Sequence, residues 1–199
     1  MIEIAIAFIT GVISPITVLV VKNWLDKRKK PDMVAETLEV GELIYTKIED
    51  LREEFEADRV WITQFHNGGH FYPTGKSIAK FSIIYEVIGS GSHPIQNNFK
   101  NIPVNLFSRS INHLSNNEYI AIPDYKDETV ATFGLKDVAD SSGCKSGYLF
   151  ALRSIEGKFI GIMGVDYTTK KVKLEVDDIN HLLIHSSSIG GVLMNHLQG

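Results

Sequence analysis

From Ile4 to Val21 the chain carries no charge and hardly a polar side chain, an apolar run of 18 residues between Glu3 and Lys22. As a helix, that run is about 27 Å long, close to the ~30 Å hydrocarbon core of a bilayer. Gly11 and Pro15 are tolerable in such a helix, and Trp24 falls where an interfacial aromatic belongs. A secretory signal would carry its positive charge before the apolar run, whereas here it follows as Lys22, Lys27, Arg28, Lys29 and Lys30. A buried core helix would show a polar face, and Thr10, Ser14 and Thr17 make only a weak one. The expectation is a single-pass transmembrane anchor over residues 1–30, lying in the lipid bilayer, with the soluble bulk on the cytoplasmic side of the basic cluster.

Beyond Pro31-Asp32 the pattern changes to helical spacing. Ile44, Ile48, Leu51 and Phe55 recur at 4-3-4 intervals, with Glu49, Asp50, Glu53, Glu54 and Glu56 turned elsewhere, and predict a helix over 33–57. It either packs on a sheet or pairs two copies in a homodimer. RVWITQF, Arg59 to Phe65, alternates strictly: Val60, Ile62 and Gln64 face one way, Trp61, Thr63 and Phe65 the other. This strand is expected to end at His66-Asn67-Gly68-Gly69, so that a histidine and an amide stand at its mouth. Ile78 to Ile88 reads as a second strand, with Phe81, Ile83, Tyr85 and Val87 on one face.

Two weaker helical stretches, 105–114 and 129–140, flank a short strand Tyr119 to Ile122 that Pro123 stops; Gly134 weakens the second. GYLFALR at 147–153 and KFIGIMGVDY at 158–167 form a hairpin about Ser154-Ile155-Glu156-Gly157, its second strand apolar enough to be central. Ile179, Leu182, Leu183, Ile189, Val192, Leu193 and Leu197 make the stripe of a final helix. The expected divisions are 1–30, anchor; 31–58, linker and first helix; 59–199, domain core and last helix.

Charge and cysteine content narrow the function classes. The net charge of -4 hides a basic cluster near the start; from Pro31 onward there are 15 basic and 22 acidic residues. An acidic domain without a basic stripe is a poor nucleic-acid binder, and no nucleic-acid partner is expected. With one cysteine, Cys144, there is no internal disulfide and no cysteine-based zinc site. No phosphate-loop glycine motif, nucleophile elbow or paired-carboxylate arrangement is present, so no catalytic residue is expected and the chain does not read as an enzyme.

The order helix, strand, strand, small helices, strand, hairpin, final helix resembles that of GAF domains, relatives of the PAS sensor domains. The likeness covers about 34–197 and rests on VWITQFHN, on FIGIMGVDY leading into a helix, and on the IPD stop at 122–124. It implies an α+β fold: an antiparallel sheet of five or six strands, with the N- and C-terminal helices on one face and small helices with a ligand pocket on the other. The N-terminal transmembrane helix would be added to that fold. It also implies frequent homodimers through the first and last helices. Family members bind cyclic nucleotides, tetrapyrroles, haem or amino-acid-like molecules, or nothing known, so the cofactor stays unknown.

The residues expected to bind a ligand are Phe65, His66, Asn67, Phe71, Tyr148 and Asp166, with Lys80 and Ser82 as strand positions that would join them if they face the pocket. Imidazole and amide groups suit a polar small-molecule ligand because each both donates and accepts. A carboxylate at the end of an apolar strand needs a partner. No metal site is expected. His66 and His70 are spaced four apart but separated by two glycines, and His181 and His185 share a helix face with no carboxylate between them. Bilin attachment in the family uses a cysteine, and nothing around Cys144 matches a chromophore signature. The functional expectation is a membrane-anchored sensory module, with a ligand-free scaffold for dimerisation or membrane recruitment as the alternative.

Overall fold

The computed structural model describes residues 14–28 and 33–198. Residues 4–13 of the expected anchor lie outside them, and 14–21 fall in helix α1, Ser14–Arg28. No helix among the described residues is long and apolar enough to cross a membrane. The chain divides into two compact units, 1–36 and 37–199. The second is built from α2 (Met33–Glu54, whose first turn precedes the division), β1 (Arg59–His70), β2 (Ser77–Ile88), β3 (Ile102–Pro103), α3 (Ser108–Asn116), β4 (Tyr119–Ile122), α4 (Lys136–Ser142), β5 (Ser146–Arg153), β6 (Phe159–Tyr167) and α5 (Val176–Gln198). Short 3-10 turns at Gln96–Asn98 and Val104–Phe107 complete it.

All six strands join one antiparallel sheet in the order β3-β2-β1-β6-β5-β4. The hairpin strand β6 is central, between β1 and β5, as its continuous apolar run requires. Alternation then sorts side chains into two cores. Val60, Ile62, Tyr148, Phe150, Met163 and Val165 face α2 and α5, where Ile44, Ile48, Leu51, Leu182, Ile189 and Leu193 meet them. Each such fully buried aliphatic contributes about 1.5–3 kcal/mol of transfer free energy. The opposite face carries Leu149, Ala151 and Ile162 against α3, α4 and the loops around them.

Three details depart from the sequence expectation, each for a visible reason. β1 does not stop at Phe65. It runs on to His70, because His66 and Asn67 pair with Lys80 and Ala79 of β2, and the irregularity falls between Asn67 and His70, where Gly69 takes φ +89°. The HNGG segment is therefore an arm of a long hairpin, not a strand mouth. β2 does not keep one face either. A bulge opposite Ile62/Thr63 skips Ile84, so Phe81 and Ile83 stand on the small-helix face while Tyr85 and Val87 pack with the helix-side core. The helix expected over 129–140 shrinks to α4, because Phe133 (φ +50°) and Gly134 (φ +81°) both enter the left-handed region and break it.

Asp58 closes the α2–β1 corner onto the end of β6. Its carboxylate accepts the backbone N–H groups of Thr168 (2.6 Å) and Thr169 (2.8 Å) and the Thr169 hydroxyl (2.9 Å). Burial pushes this carboxyl up, but the donors of Thr169 and Thr168 outweigh it, and the net position is below the usual carboxylate range. A depressed folded value contributes stability that is present above the unfolded value, near 4, and is lost as pH falls through the folded one. Urea unfolding should show Asp58→Asn about 1 kcal/mol less stable at neutral pH, with the gap to wild type closing at progressively lower pH below 4.

Helix α5 lies close enough to β5 that a Cβ on Gly190 would come within 2.3 Å of the Arg153 carbonyl oxygen, whereas one on Gly191 would meet nothing within 4 Å. Gly190→Ala should cost about 1–3 kcal/mol by overpacking, and Gly191→Ala should be neutral or stabilising by up to ~1 kcal/mol through helix propensity. Paired denaturation curves test both.

Candidate functional site

Between the sheet and the small helices lies an apolar cavity of about 70 Å³. Its floor is made by β1, β2, β5 and β6 through Trp61, Thr63, Phe81, Ile83, Leu149 and Ile162. Its roof comes from the 95–111 segment and from α4. Two strand glycines leave room for rings that line the cavity: a Cβ on Gly164 would strike the Trp61 indole at 2.1 Å, and one on Gly147 would meet the Tyr125 hydroxyl at 2.8 Å. The roof is tied down by polar contacts. Glu86 accepts the N–H groups of Ile95 (2.8 Å) and Gln96 (3.0 Å), the Gln96 amide donates to the Ile84 carbonyl (3.1 Å), and Phe107 packs edge-on against Phe81, with centroids 5.5 Å apart.

One end of the cavity is charged. Arg59 and Asp166 are register partners on β1 and β6, and both are buried, at 0% and 6% exposure. Arg59 Nε and Nη2 donate to Asp166 Oδ2 at 2.9 and 2.7 Å, and Trp61 Nε1 donates to the same oxygen at 2.9 Å. Arg59 Nη1 reaches the His93 carbonyl at 3.0 Å and so holds the segment that leads into the roof. Three donors converge on Oδ2. Asp166 also lines the cavity, with the Cys144 thiol beside its carboxylate.

Two more polar groups surround that carboxylate. The Tyr125 hydroxyl is buried and makes no hydrogen bond to any described residue. Burial, and then the nearby Cys144 and Asp166, push it far up, so it stays a neutral donor. Cys144 Sγ donates to the Ser146 carbonyl at 3.0 Å, and burial followed by Asp166 pushes its thiol far up as well. The other cavity hydroxyls are occupied: Thr63 bonds Ile162, Ser110 bonds the Phe107 carbonyl and Ser142 the Ala139 carbonyl. The Asp166 carboxylate and an unused phenol therefore line an otherwise greasy hollow.

The six residues expected from sequence are spread over three places. Asp166 lines the cavity. Phe65 packs on the same face, edge-on to Phe159 at 4.9 Å, but beyond the cavity wall. His66 and Asn67 sit along the β1–β2 arm, where His66 Nε2 meets the Ser82 hydroxyl at 2.9 Å and Asn67 is exposed. Ser82 also accepts the Asn101 N–H at 2.8 Å, and Lys80 lies against Gly68, so neither enters the cavity. Phe71 is half exposed near the hairpin tip. Tyr148 lies on the opposite face of β5, in the helix-side core. Its hydroxyl donates to the Val172 carbonyl and accepts the Leu174 N–H, both at 2.9 Å. Alternation puts Leu149, not Tyr148, on the side of Asp166.

The local sequence pattern does not single out Arg59, Trp61 and Tyr125 as residues of this cavity and its charged end. The alternation of β1 already placed Trp61 and Thr63 on one face. The Arg59–Asp166 pairing needs the β1–β6 register, which no local pattern reveals.

This arrangement, a six-stranded antiparallel sheet with terminal helices on one face and a cavity under small helices on the other, is the GAF fold. The sequence matches no family model and no curated protein. Its structure is similar to that of a far-red cyanobacteriochrome photoreceptor (TM-score 0.63, 15% identity, 94% of this chain and 99% of that one). It is also similar to the GAF3 domain of Slr1393 from Synechocystis sp. PCC6803 in its photoproduct state (TM-score 0.61, 16% identity, covering 80% and 96%). A third similar structure is a phycocyanobilin-bound GAF domain from a cyanobacterial phytochrome (TM-score 0.60, 16% identity, covering 79% and 85%). At these identities the likeness defines the fold.

Removing the carboxylate's charge leaves the Arg59 guanidinium buried without a counter-ion. Asp166→Asn should lose about 3–5 kcal/mol of stability, and the double substitution Arg59→Met with Asp166→Leu should lose less than the single one. Chemical denaturation of the three proteins measures this.

Proposed function

We propose that the chain is a membrane-anchored, non-catalytic sensory module whose GAF-fold domain takes a compact small molecule into the cavity beside Asp166. The observation that carries the reading is the buried Tyr125 hydroxyl, which bonds no described residue and stands with the Asp166 carboxylate at the end of an apolar hollow. A buried polar atom left unpaired costs about 1–3 kcal/mol, so this end of the cavity favours a ligand that pairs with the phenol. Such a ligand would donate to the carboxylate oxygen, accept from the phenol, and present an apolar body to Phe81, Ile83 and Phe107. It would act by preferring one of two packings of the roof, through differential affinity for the two states.

A bilin is bound by one of the similar structures, and the residues here do not fit it. A pocket for a drug-sized ligand is about 300–1,000 Å³, against the 70 Å³ present. The chain's single cysteine is buried, donates its thiol proton to Ser146, and is held away from the thiolate form.

The anchor draws on the uncharged run of residues 4–21, on the helical state of its second half, and on the exposure of Ile16, Val18, Leu19 and Val20 there. The basic cluster 22–30 favours a cytoplasmic domain. Exposed Leu38, Leu43 and Tyr45 of α2 and Ile184 of α5 favour a homodimer through the helix layer. The small size of the cavity favours a second reading, a ligand-free scaffold for dimerisation or membrane recruitment.

The full chain in lipid nanodiscs should gain thermal stability with at least one compact donor-bearing molecule from a panel of amines, amides, amino acids and nucleotides. That gain should vanish in Tyr125→Phe, which leaves the Arg59–Asp166 pair intact. No shift with any compound, in a folded sample, would favour the scaffold. Carbonate extraction should leave the full chain in the membrane and release a chain lacking residues 2–21; extraction of both would sink the anchor.

A further inference from the structure

On the helix side of the sheet, three donors from two helices meet at the surface. His181 and His185 stand one turn apart on α5, their ring centroids 4.8 Å apart and their Nε2 atoms 3.1 Å apart. Glu54, the last residue of α2, brings Oε1 to 3.1 Å from His181 Nδ1. One donor atom from each of the three lies within 4.8 Å of the others. Phe55 packs edge-on against the His181 ring, centroids 5.7 Å apart, and restricts its rotation.

The nitrogen positions give the cluster its chemistry. A neutral His181 that donates Nδ1–H to the Glu54 carboxylate has its Nε2 lone pair directed at His185. Two imidazole nitrogens 3.1 Å apart repel each other unless a proton or a metal ion lies between them. A tetrahedral ion with bonds of about 2.0–2.1 Å to imidazole holds neighbouring donors about 3.3 Å apart, which is close to the spacing present. His185 is held below the usual imidazole range, by burial first and then by the His181 ring; Lys47 acts the same way, while Glu54 and Asp50 oppose it.

We infer that His181 and His185 bind a divalent transition-metal ion through their Nε2 atoms, with Glu54 as the carboxylate that orients His181. Imidazole donors with a carboxylate behind them select Zn2+, Cu2+ or Ni2+ over Mg2+ or Ca2+. The exposure of His181 and Glu54, 46% each, leaves the remaining coordination positions to water or to an incoming ligand. The ion staples one turn of α5, and the Glu54–His181 hydrogen bond that its ligation strengthens links that turn to the end of α2. This site is separate from the cavity and stands whether or not the cavity takes a ligand.

The test uses the full chain in nanodiscs, purified without a histidine tag and stripped of metal. Titration with Zn2+, and with Co2+ as an optical probe, should show one micromolar site per chain and a rise in melting temperature. His181→Gln with His185→Gln should remove that site without lowering the metal-free melting temperature. Glu54→Gln should weaken it about 10–100-fold, and the double substitution His66→Gln with His70→Gln should leave it unchanged. Absence of binding, a site that survives loss of His181 and His185, or imidazole titration by protons alone with no ion held would each overturn the inference.

Discussion

The buried pairing of Arg59 with Asp166 is the interaction on which the rest of the domain depends. It joins the two central strands at their ends, with three donors gathered on a single carboxylate oxygen. Taking two charges out of water costs several kcal/mol per ion, so the pair persists only because its geometry and hydrogen bonds offset that cost. The indole N–H of Trp61 and the carbonyl of His93 complete the arrangement. The sheet, the cavity floor and the segment leading into the roof therefore share one electrostatic anchor, and that anchor lies at the edge of the hollow.

The helix layer works by different physics. Ile44, Ile48 and Leu51 on α2, and Leu182, Ile189 and Leu193 on α5, bury apolar surface with little directional bonding. Where position matters there, it is set by close approach, as at Gly190 against the β5 backbone. The two faces of the sheet thus divide the labour: one supplies bulk stability, the other holds a few polar groups in place around a small space.

Much of the fold was legible because it follows from periodicity. The 4-3-4 stripe of α2, the alternation of β1, the apolar continuity of β6 and the stripe of α5 each report burial directly. The site was far less legible. Asp166 was found because a carboxylate in an apolar strand demands a partner, but the partner, Arg59, is set by strand register. The bulge near Ile84 reverses the face of half of β2 and leaves no mark in the sequence. The glycines after His66 and Asn67 read as a strand end, whereas pairing with Lys80 and Ala79 carries β1 through them. The histidine pair on α5 was visible, but not the carboxylate that joins it, which comes from another helix.

Trp61 gives the molecule a built-in optical gauge. It is one of only two tryptophans, the other being Trp24 near the basic cluster. Its ring lies over Gly164 on the cavity floor, with its N–H on the carboxylate. Indole emission responds to the polarity and charge around the ring, so whatever enters or reorganises that space changes the colour and yield of this one residue's light. Filling, emptying or uncoupling of the hollow can be followed on the unlabelled chain.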